Sequence, residues 1–236
     1  MLIKNPKIFN IGALFAVTFI MVLGLIFSPV FKGKNGLEFA DSSFNKLAKG
    51  SSYFIPKVAK DVEKVAGKPL QVSITLDTAE DATDTAKLFA AAGAKATTES
   101  TALKIDGDLG AILKSALSDA DAMYQNNGKT VADRYGMNEK KALKSWWTAF
   151  AKIEKKMKKD KLIDDAKVVS SVMKKGIEPG YNFYEIDANK VVDHAGMLTG
   201  LLVFYVFYTM WWGYAIFYMF DGVGLTMKKA KVKKEA

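Results

Sequence analysis

The chain has 236 residues and a formal net charge of +9, and half of its residues are apolar. It contains no cysteine, which excludes disulfides, thiolate zinc sites, iron–sulfur clusters and covalently attached haem. The length is enough for one domain of ordinary size together with membrane-spanning segments.

The first uncharged apolar run covers residues 11–31 and follows Lys4 and Lys7. At about 1.5 Å per residue it is just long enough to cross a hydrocarbon core of about 30 Å. A cleaved signal peptide is the alternative, but the apolar core is long for one and no small-residue cleavage site follows Pro29. We therefore predict an uncleaved transmembrane helix at residues 11–31, preceded by a cytoplasmic tail at residues 1–10.

The second apolar run predicts a transmembrane helix at residues 194–221, and a basic tail follows at residues 222–236. Lysines near the ends of a span mark its cytoplasmic side. Five of them follow this span: Lys228, Lys229, Lys231, Lys233 and Lys234. Because two spans place both termini on one side, we predict cytoplasmic termini in a bacterial inner (plasma) membrane and an extracytoplasmic domain at residues 32–193.

The excess positive charge lies mainly in the tails. Residues 32–193 hold 27 basic and 23 acidic side chains, which nearly balance. A nucleic-acid surface would concentrate lysine and arginine on the folded domain. We therefore predict no nucleic-acid binding, and contacts of the basic C-terminal tail with anionic lipid headgroups.

The pattern of residues 32–193 predicts an α/β or α+β domain with a sheet of two or three strands and several amphipathic helices, bracketed by the two transmembrane helices. The stretch "LQVSITLD", beginning at Leu70, alternates apolar and polar residues, and a second alternation surrounds Leu103. A helix separates them, so parallel strands joined by a right-handed crossover are the default. The stretch "NFYEI" at residues 182–186 is a candidate third strand.

Two helices of this domain carry residues of interest. The helix that Asp108 opens places Asp119 and Asp121 on its predicted solvent side. The helix at about residues 138–158 has an apolar face that includes Trp146 and Trp147. Its remainder is lysine-rich, and these lysines either keep the domain soluble or dock an acidic partner or anionic headgroups.

Polar residues mark both ends of the second span. Asp187 is predicted to cap a helix that continues into the span without a break. His194, the single histidine, is predicted to be an interfacial polar residue, although its position would also suit a haem or quinone contact. We predict no cofactor and no metal. Asp221 is the interfacial polar residue at the other end.

The stretch "LLVFYVFYTMWWGYAIFYMF", residues 201–220, contains ten aromatic side chains and no charge. Tyrosine hydroxyls and indole N–H groups in the middle of a membrane need hydrogen-bond partners that lipid tails cannot give. We therefore predict that the aromatic face of this helix binds an integral membrane protein partner. The candidate partner-binding residues are Phe204, Tyr208, Trp211, Trp212 and Tyr218.

Small residues four apart let membrane helices approach closely. Both spans contain such pairs, and we predict that the two spans of this chain pack along them. The candidate helix-packing residues are Gly12, Ala16, Gly24, Ser28, Thr209 and Gly213.

No phosphate-binding glycine loop, nucleophile elbow or metal-ligand spacing occurs in the sequence, so we predict that the protein is not an enzyme and has no catalytic residues. We expect a non-catalytic accessory or structural subunit of a membrane complex, of the respiratory or transport kind. The alternative is an extracytoplasmic ligand-binding sensor that signals through a separate partner. The few residues after the second span argue against a cytoplasmic signalling domain in this chain.

Overall fold

The computed structural model describes residues 3–225, and the five lysines of the predicted basic tail lie outside the described residues. The chain divides into two compact units. One comprises the residues up to Phe44 together with those from Lys190 onward. The other, Asn45–Asn189, is called the α/β unit here.

Within residues 3–225 the chain forms ten α-helices and three strands. The helices are α1 (Pro6–Phe27), α2 (Gly36–Ser51), α3 (Ile55–Glu63), α4 (Ala79–Ala91), α5 (Leu109–Tyr124), α6 (Gly128–Tyr135), α7 (Glu139–Lys159), α8 (Ile163–Val172), α9 (Glu178–Asn182) and α10 (Ala195–Gly222). The strands are β1 (Pro69–Thr75), β2 (Lys95–Glu99) and β3 (Ala102–Asp108). A π-helical segment, Met173–Ile177, joins α8 to α9.

The three strands form an antiparallel sheet in the order β1-β3-β2, so the expected parallel pairing is wrong. β1 and β2 do run in the same direction, with α4 between them in the chain. However, β3 inserts between the two and pairs antiparallel with both. The connection from Glu99 to Ala102 is only two residues long, and Ser100 there has a positive φ of 55°. Such a short turn can join only antiparallel neighbours.

Two predictions around residues 182–190 are also wrong. Residues 182–186 form no strand, because the segment ends α9 and continues as a turn. No helix begins at Asp187 either. The chain is irregular until the 3₁₀ turn Val192–His194, after which α10 begins at Ala195. The domain and the second span are therefore not joined by one continuous helix.

The core of the α/β unit lies between the sheet and helices α4, α5 and α7. Phe89, Trp146 and Phe150 are fully buried and their rings contact one another, with centroids 4.9 to 6.2 Å apart. Burying each such ring stabilises the fold by about 2 to 3 kcal/mol. This packing fixes the axial rotation of α7. It also leaves the neighbouring Trp147 40% exposed, although the sequence pattern placed that side chain on the same apolar face.

A buried carboxylate ties α5 to α6 and α7. Asp119 is fully buried, contrary to its predicted place on the solvent side. Its carboxylate accepts hydrogen bonds from the Tyr135 hydroxyl (2.5 Å), the Trp146 indole N–H (2.9 Å) and the Arg134 guanidinium. Burial raises the pKa of Asp119, and these three donors oppose that rise. The donors therefore compensate a charge that would be very costly to bury alone.

Replacing Tyr135 by phenylalanine is expected to remove an alkaline loss of stability. Burial, and then the hydrogen bond to Asp119, raise the pKa of Tyr135 from its ordinary value of 10 to about 12. Between those pH values the unfolded chain releases the phenolic proton while the folded chain retains it, so the free energy of unfolding falls as the pH rises. The full loss is about 2 to 3 kcal/mol.

Urea unfolding of the intact chain in detergent micelles, followed by near-UV circular dichroism below pH 10 and near pH 12, measures this loss. Titrations common to both proteins cancel in the comparison. If the Tyr135→Phe variant lost as much stability over that range as the native chain, the buried phenol would not be its source.

The two ends of the α/β unit are held together by Lys49, which is 4% exposed. Its ammonium donates to the carbonyl oxygens of Ile186 (2.6 Å) and Phe183 (3.0 Å) and to Asn126 Oδ1 (2.9 Å). Burial lowers the pKa of Lys49, while Asp187 opposes this effect. Residues 45–51 and 183–189, where the chain enters and leaves the unit, therefore lie side by side.

Candidate functional site

Helices α1 and α10 are both long and apolar enough to cross a membrane. Only 6% of the most apolar part of each is buried, whereas the core helix of a soluble protein would be mostly buried. The two helices pack against each other as an antiparallel pair, called the hairpin here. The backbone N–H groups of Lys4 and Asn5 donate to the Gly222 carbonyl oxygen at 2.9 and 2.8 Å, which joins the start of α1 to the end of α10.

The two helices approach each other closely at Gly12, which is buried. A Cβ atom at this position would lie 2.6 Å from the Met219 backbone nitrogen and 2.9 Å from the Ala215 carbonyl oxygen. Ala215, directly opposite, is fully buried as well. The absence of a side chain at Gly12 therefore sets the distance between the helices.

Much of the predicted aromatic face packs against α1. The Tyr208 ring stacks on Phe19 with centroids 4.1 Å apart, and the Trp212 ring lies 4.7 Å from the same residue. The Trp211 indole N–H donates to the Phe15 carbonyl oxygen at 3.1 Å. Tyr218 stacks on Phe15 at 6.1 Å. These rings therefore contribute to the pairing of the two spans.

The remaining candidate on that face is Phe204, which stacks on Tyr208 at 5.3 Å and is 45% exposed. The Tyr208 hydroxyl is buried and has no hydrogen-bond partner within residues 3–225. Phe204 and the exposed edge of Trp212 mark the border between the packed and the open surface of α10.

The predicted small-residue pairing differs from the observed one. Gly12 lies in the contact and Ala16 is half-buried, but the space around Gly24 and Gly213 is open within the described chain. The strip of α10 that carries Gly213 therefore faces away from α1. On the α10 side, two small residues that were not predicted, Ala215 and Gly222, meet α1 together with the large rings.

Two candidate helix-packing residues have hydroxyl groups that form hydrogen bonds within their own helices. The Thr209 hydroxyl donates to the carbonyl oxygens of Tyr205 and Val206, each at 2.9 Å. The Ser28 hydroxyl donates to the Leu25 carbonyl oxygen at 2.7 Å, at the end of α1. Both hydroxyls are therefore satisfied without a partner helix.

Three aromatic residues of α10 combine an exposed ring with an unbonded polar group. Tyr205, Trp212 and Tyr214 are 64%, 39% and 49% exposed, and none of their hydroxyl or indole N–H groups forms a hydrogen bond within residues 3–225. They lie within about 9 Å of the middle of α10 along its axis. In a helix that spans a bilayer, that depth lies inside the hydrocarbon core, where water is not available to replace a partner.

The polar residues at the ends of α10 are separate from this surface. His194 is half-buried in the 3₁₀ turn, with Nδ1 3.3 Å from the Lys190 carbonyl oxygen. Asp221 lies in the last turn of α10, and its backbone carbonyl accepts from the Gly224 N–H at 2.9 Å. Among residues 3–225, no cluster of three or more histidine or carboxylate side chains could hold a metal ion.

The α/β unit has two adjoining cavities along α7, the first of which is closed on its other side by α9. Sequence patterns did not indicate them, since α9 has only five residues and its tyrosine belonged to no recognised pattern. No protein-family model, curated protein or solved structure matches this chain. Its function has to be inferred from the chemistry of its own residues.

Proposed function

We propose that the protein is a non-catalytic accessory or structural subunit of a membrane complex. In this proposal the hairpin spans a bacterial inner membrane with both termini in the cytoplasm, and the α/β unit lies outside. The exposed flanks of α10, on either side of its contact with α1, dock an integral membrane protein. The complex is of the respiratory or transport kind.

The main support is the set of unbonded polar groups on Tyr205, Trp212 and Tyr214. Lipid tails offer these groups no acceptor, and leaving such a group unbonded in an apolar medium costs about 1 to 3 kcal/mol. A partner helix with backbone or side-chain acceptors would remove that cost. The rings also bring a large contact area at a low cost in side-chain entropy.

The proposed docking residues differ from the predicted set, because Tyr208, Trp211 and Tyr218 serve mainly the internal pairing with α1. We assign the docking role to the two flanks of α10 beside its contact with α1. Tyr205 and Trp212 lie on one flank, with Phe204 nearby, and Tyr214 lies on the other, about 180° away around the helix. The basic tail adds contacts with anionic lipid headgroups. The protein needs no cofactor, and neither haem nor quinone binds at His194.

Site-specific photo-crosslinking in cells tests this proposal. Benzoylphenylalanine in place of Tyr205 or Tyr214 is expected to crosslink to one membrane protein. The same probe at Leu14 or Met21, equally exposed positions of α1, serves as the matched control and is expected to crosslink to none. Equal crosslinking from all four positions would show that α10 is not a specific docking surface, and no crosslinking from any of them would mean that α10 faces lipid.

A second measurement addresses the polar groups themselves. A variant with Tyr205→Phe, Trp212→Phe and Tyr214→Phe keeps aromatic rings at all three positions and removes the hydroxyls and the indole N–H. Without any crosslinker, this variant is expected to lose the partner protein, once crosslinking has identified it, during purification in a mild detergent. The native chain is expected to retain that partner. Full retention by the variant would show that hydrogen bonding is not what holds the partner.

The alternative function, an extracytoplasmic ligand-binding sensor, has one observation in its favour. The α/β unit presents a groove whose aromatic part lies between α7 and α9. Its second cavity reaches Leu76, Asp77, Asp81 and Thr85, within residues 70–128, where the strand and helix pattern is clearest. A structural subunit has no need of such a groove.

A further inference from the structure

Two adjoining cavities form a groove along α7 of the α/β unit, the first between α7 and α9 and the second between α7 and α4. The first has a volume of about 310 Å³ and the second about 470 Å³, and both are lined by Lys144 and Tyr181. Volumes of this size are typical of sites for small molecules.

The walls of the first cavity are aromatic and fixed in place. Trp147 and Tyr181 are each 40% exposed, while Leu143 beneath them is fully buried. The Trp147 indole N–H donates to Glu178 Oε1 at 3.0 Å, which links α7 to α9 and holds the indole in one orientation. The indole N–H is therefore already hydrogen-bonded, and the flat face of the ring remains available for contact with an apolar group.

Lys144 brings a positive charge to the junction of the two cavities. The Lys144 ammonium has no carboxylate partner within residues 3–225. Its neighbour Lys141 is paired with Glu80 at 2.7 Å and with Asp84 at 2.6 Å. Lys144 is therefore the cation here that remains free to receive an anion.

The acidic side chains nearby are already engaged. Glu178 accepts from Trp147, and Asp77 pairs with Lys152 at 3.3 Å. The Asp81 carboxylate accepts from the Thr78 hydroxyl at 2.7 Å. Within the described residues only Asp77 of these three is paired with a cation, so Glu178 and Asp81 keep their negative charge, and an anion bound in the groove has to lie on its Lys144 side.

We propose that this groove binds a small carboxylate that carries an aromatic ring. The ring lies in the first cavity against Trp147 and Tyr181, and the carboxylate accepts a hydrogen bond from the Lys144 ammonium. A charge-assisted bond of this kind is about twice as strong as a neutral one, and the ring stacks on the indole face. This site is independent of the docking role of α10.

Binding of 3-(4-fluorophenyl)propionate to the intact chain in detergent micelles tests the proposal, with ¹⁹F NMR as the readout and empty micelles to correct for partitioning. Saturable binding is expected. Lys144→Met keeps the length of the side chain and removes its charge, and it is expected to weaken binding at least about tenfold, the equivalent of one charge-assisted hydrogen bond.

Lys155→Met is the matched control, since Lys155 is another exposed lysine of α7 that lies outside the groove. It is expected to bind as the native chain does, and Lys144→Arg is expected to restore most of the affinity. Trp147→Leu is expected to weaken binding by a similar factor through loss of the ring contact. The site assignment is overturned by absence of saturation, by native affinity in Lys144→Met, or by equal losses in the Lys144 and Lys155 variants.

Discussion

Replacing Asp119 by alanine is expected to lower the free energy of unfolding of the α/β unit by about 3 kcal/mol. The change leaves the Trp146 indole N–H and the Tyr135 hydroxyl buried without an acceptor, and each such group costs about 1 to 3 kcal/mol. The Arg134 side chain is 37% exposed and can regain water, which limits the total. The loss still approaches what removal of one partner from a buried ion pair costs.

Asp121→Ala is the matched control, two residues along the same helix. Asp121 is only half-buried and accepts one hydrogen bond, from the Tyr53 hydroxyl at 3.0 Å, which is itself exposed. Loss of this hydrogen bond is expected to lower the free energy of unfolding by less than about 1 kcal/mol. Urea unfolding of the intact chain in detergent micelles measures both variants. Equal losses for the two would mean that the carboxylate of Asp119 does not organise the core.

The contrast between these two aspartates shows where sequence patterns stop being informative. Apolar periodicity identified α5 and its core face correctly, because burial of Ile112, Leu113 and Ala116 follows the helical repeat. Asp119 lies on the edge of that face, and an aspartate there is normally exposed. Its burial depends on Tyr135 and Trp146, which lie on two other helices and carry no local signal in the sequence.

The sheet shows a second kind of limit. β1 and β3 were predictable because buried apolar residues alternate with exposed polar ones along them. β2 is an edge strand with one half-buried and four exposed residues, and its sequence therefore has no alternation to detect. The strand order depends on this missed element, because the short turn between β2 and β3 brings β3 back beside β1.

In the hairpin, composition predicted the two apolar helices but not the surface along which they meet. Nearly every residue of α10 is apolar, so hydrophobicity does not distinguish the side that faces α1 from the side that faces outward. Shape complementarity determines which side of α10 faces α1. Gly12 lets the α10 backbone approach near Ala215, and the rings of Tyr208 and Trp211 fill the space farther along the helices. Such complementarity depends on the three-dimensional surfaces of both helices.

Replacing Gly12 by leucine is expected to separate the two helices of the hairpin. Any Cβ at this position would overlap the α10 backbone at Met219 and Ala215, neither of which can move aside as a flexible side chain would. Overpacking of this kind costs about 1 to 3 kcal/mol in close-packed interiors. Gly24→Leu, the same change in the same helix, meets open space and is expected to leave the pairing intact.

Because the native chain has no cysteine, a pair introduced as Phe19→Cys and Tyr208→Cys reports specifically on this contact. Oxidative disulfide formation is expected to be about tenfold slower with Gly12→Leu than with Gly24→Leu. Equal rates would show that the close approach at Gly12 does not hold the helices together.

The same two glycine variants distinguish a hairpin that only anchors the protein from one that also holds α10 in position to bind a partner. If the hairpin only anchors the protein, Gly12→Leu changes the disulfide rate and leaves crosslinking from Tyr205 and Tyr214 unaltered. If α10 must be held by α1 for its exposed rings to meet a partner, Gly12→Leu reduces both, while Gly24→Leu reduces neither. The second pattern is the one expected, because Trp212 contacts Phe19 with one part of its ring and is exposed over the rest, so the internal contact sets the orientation of the outer surface.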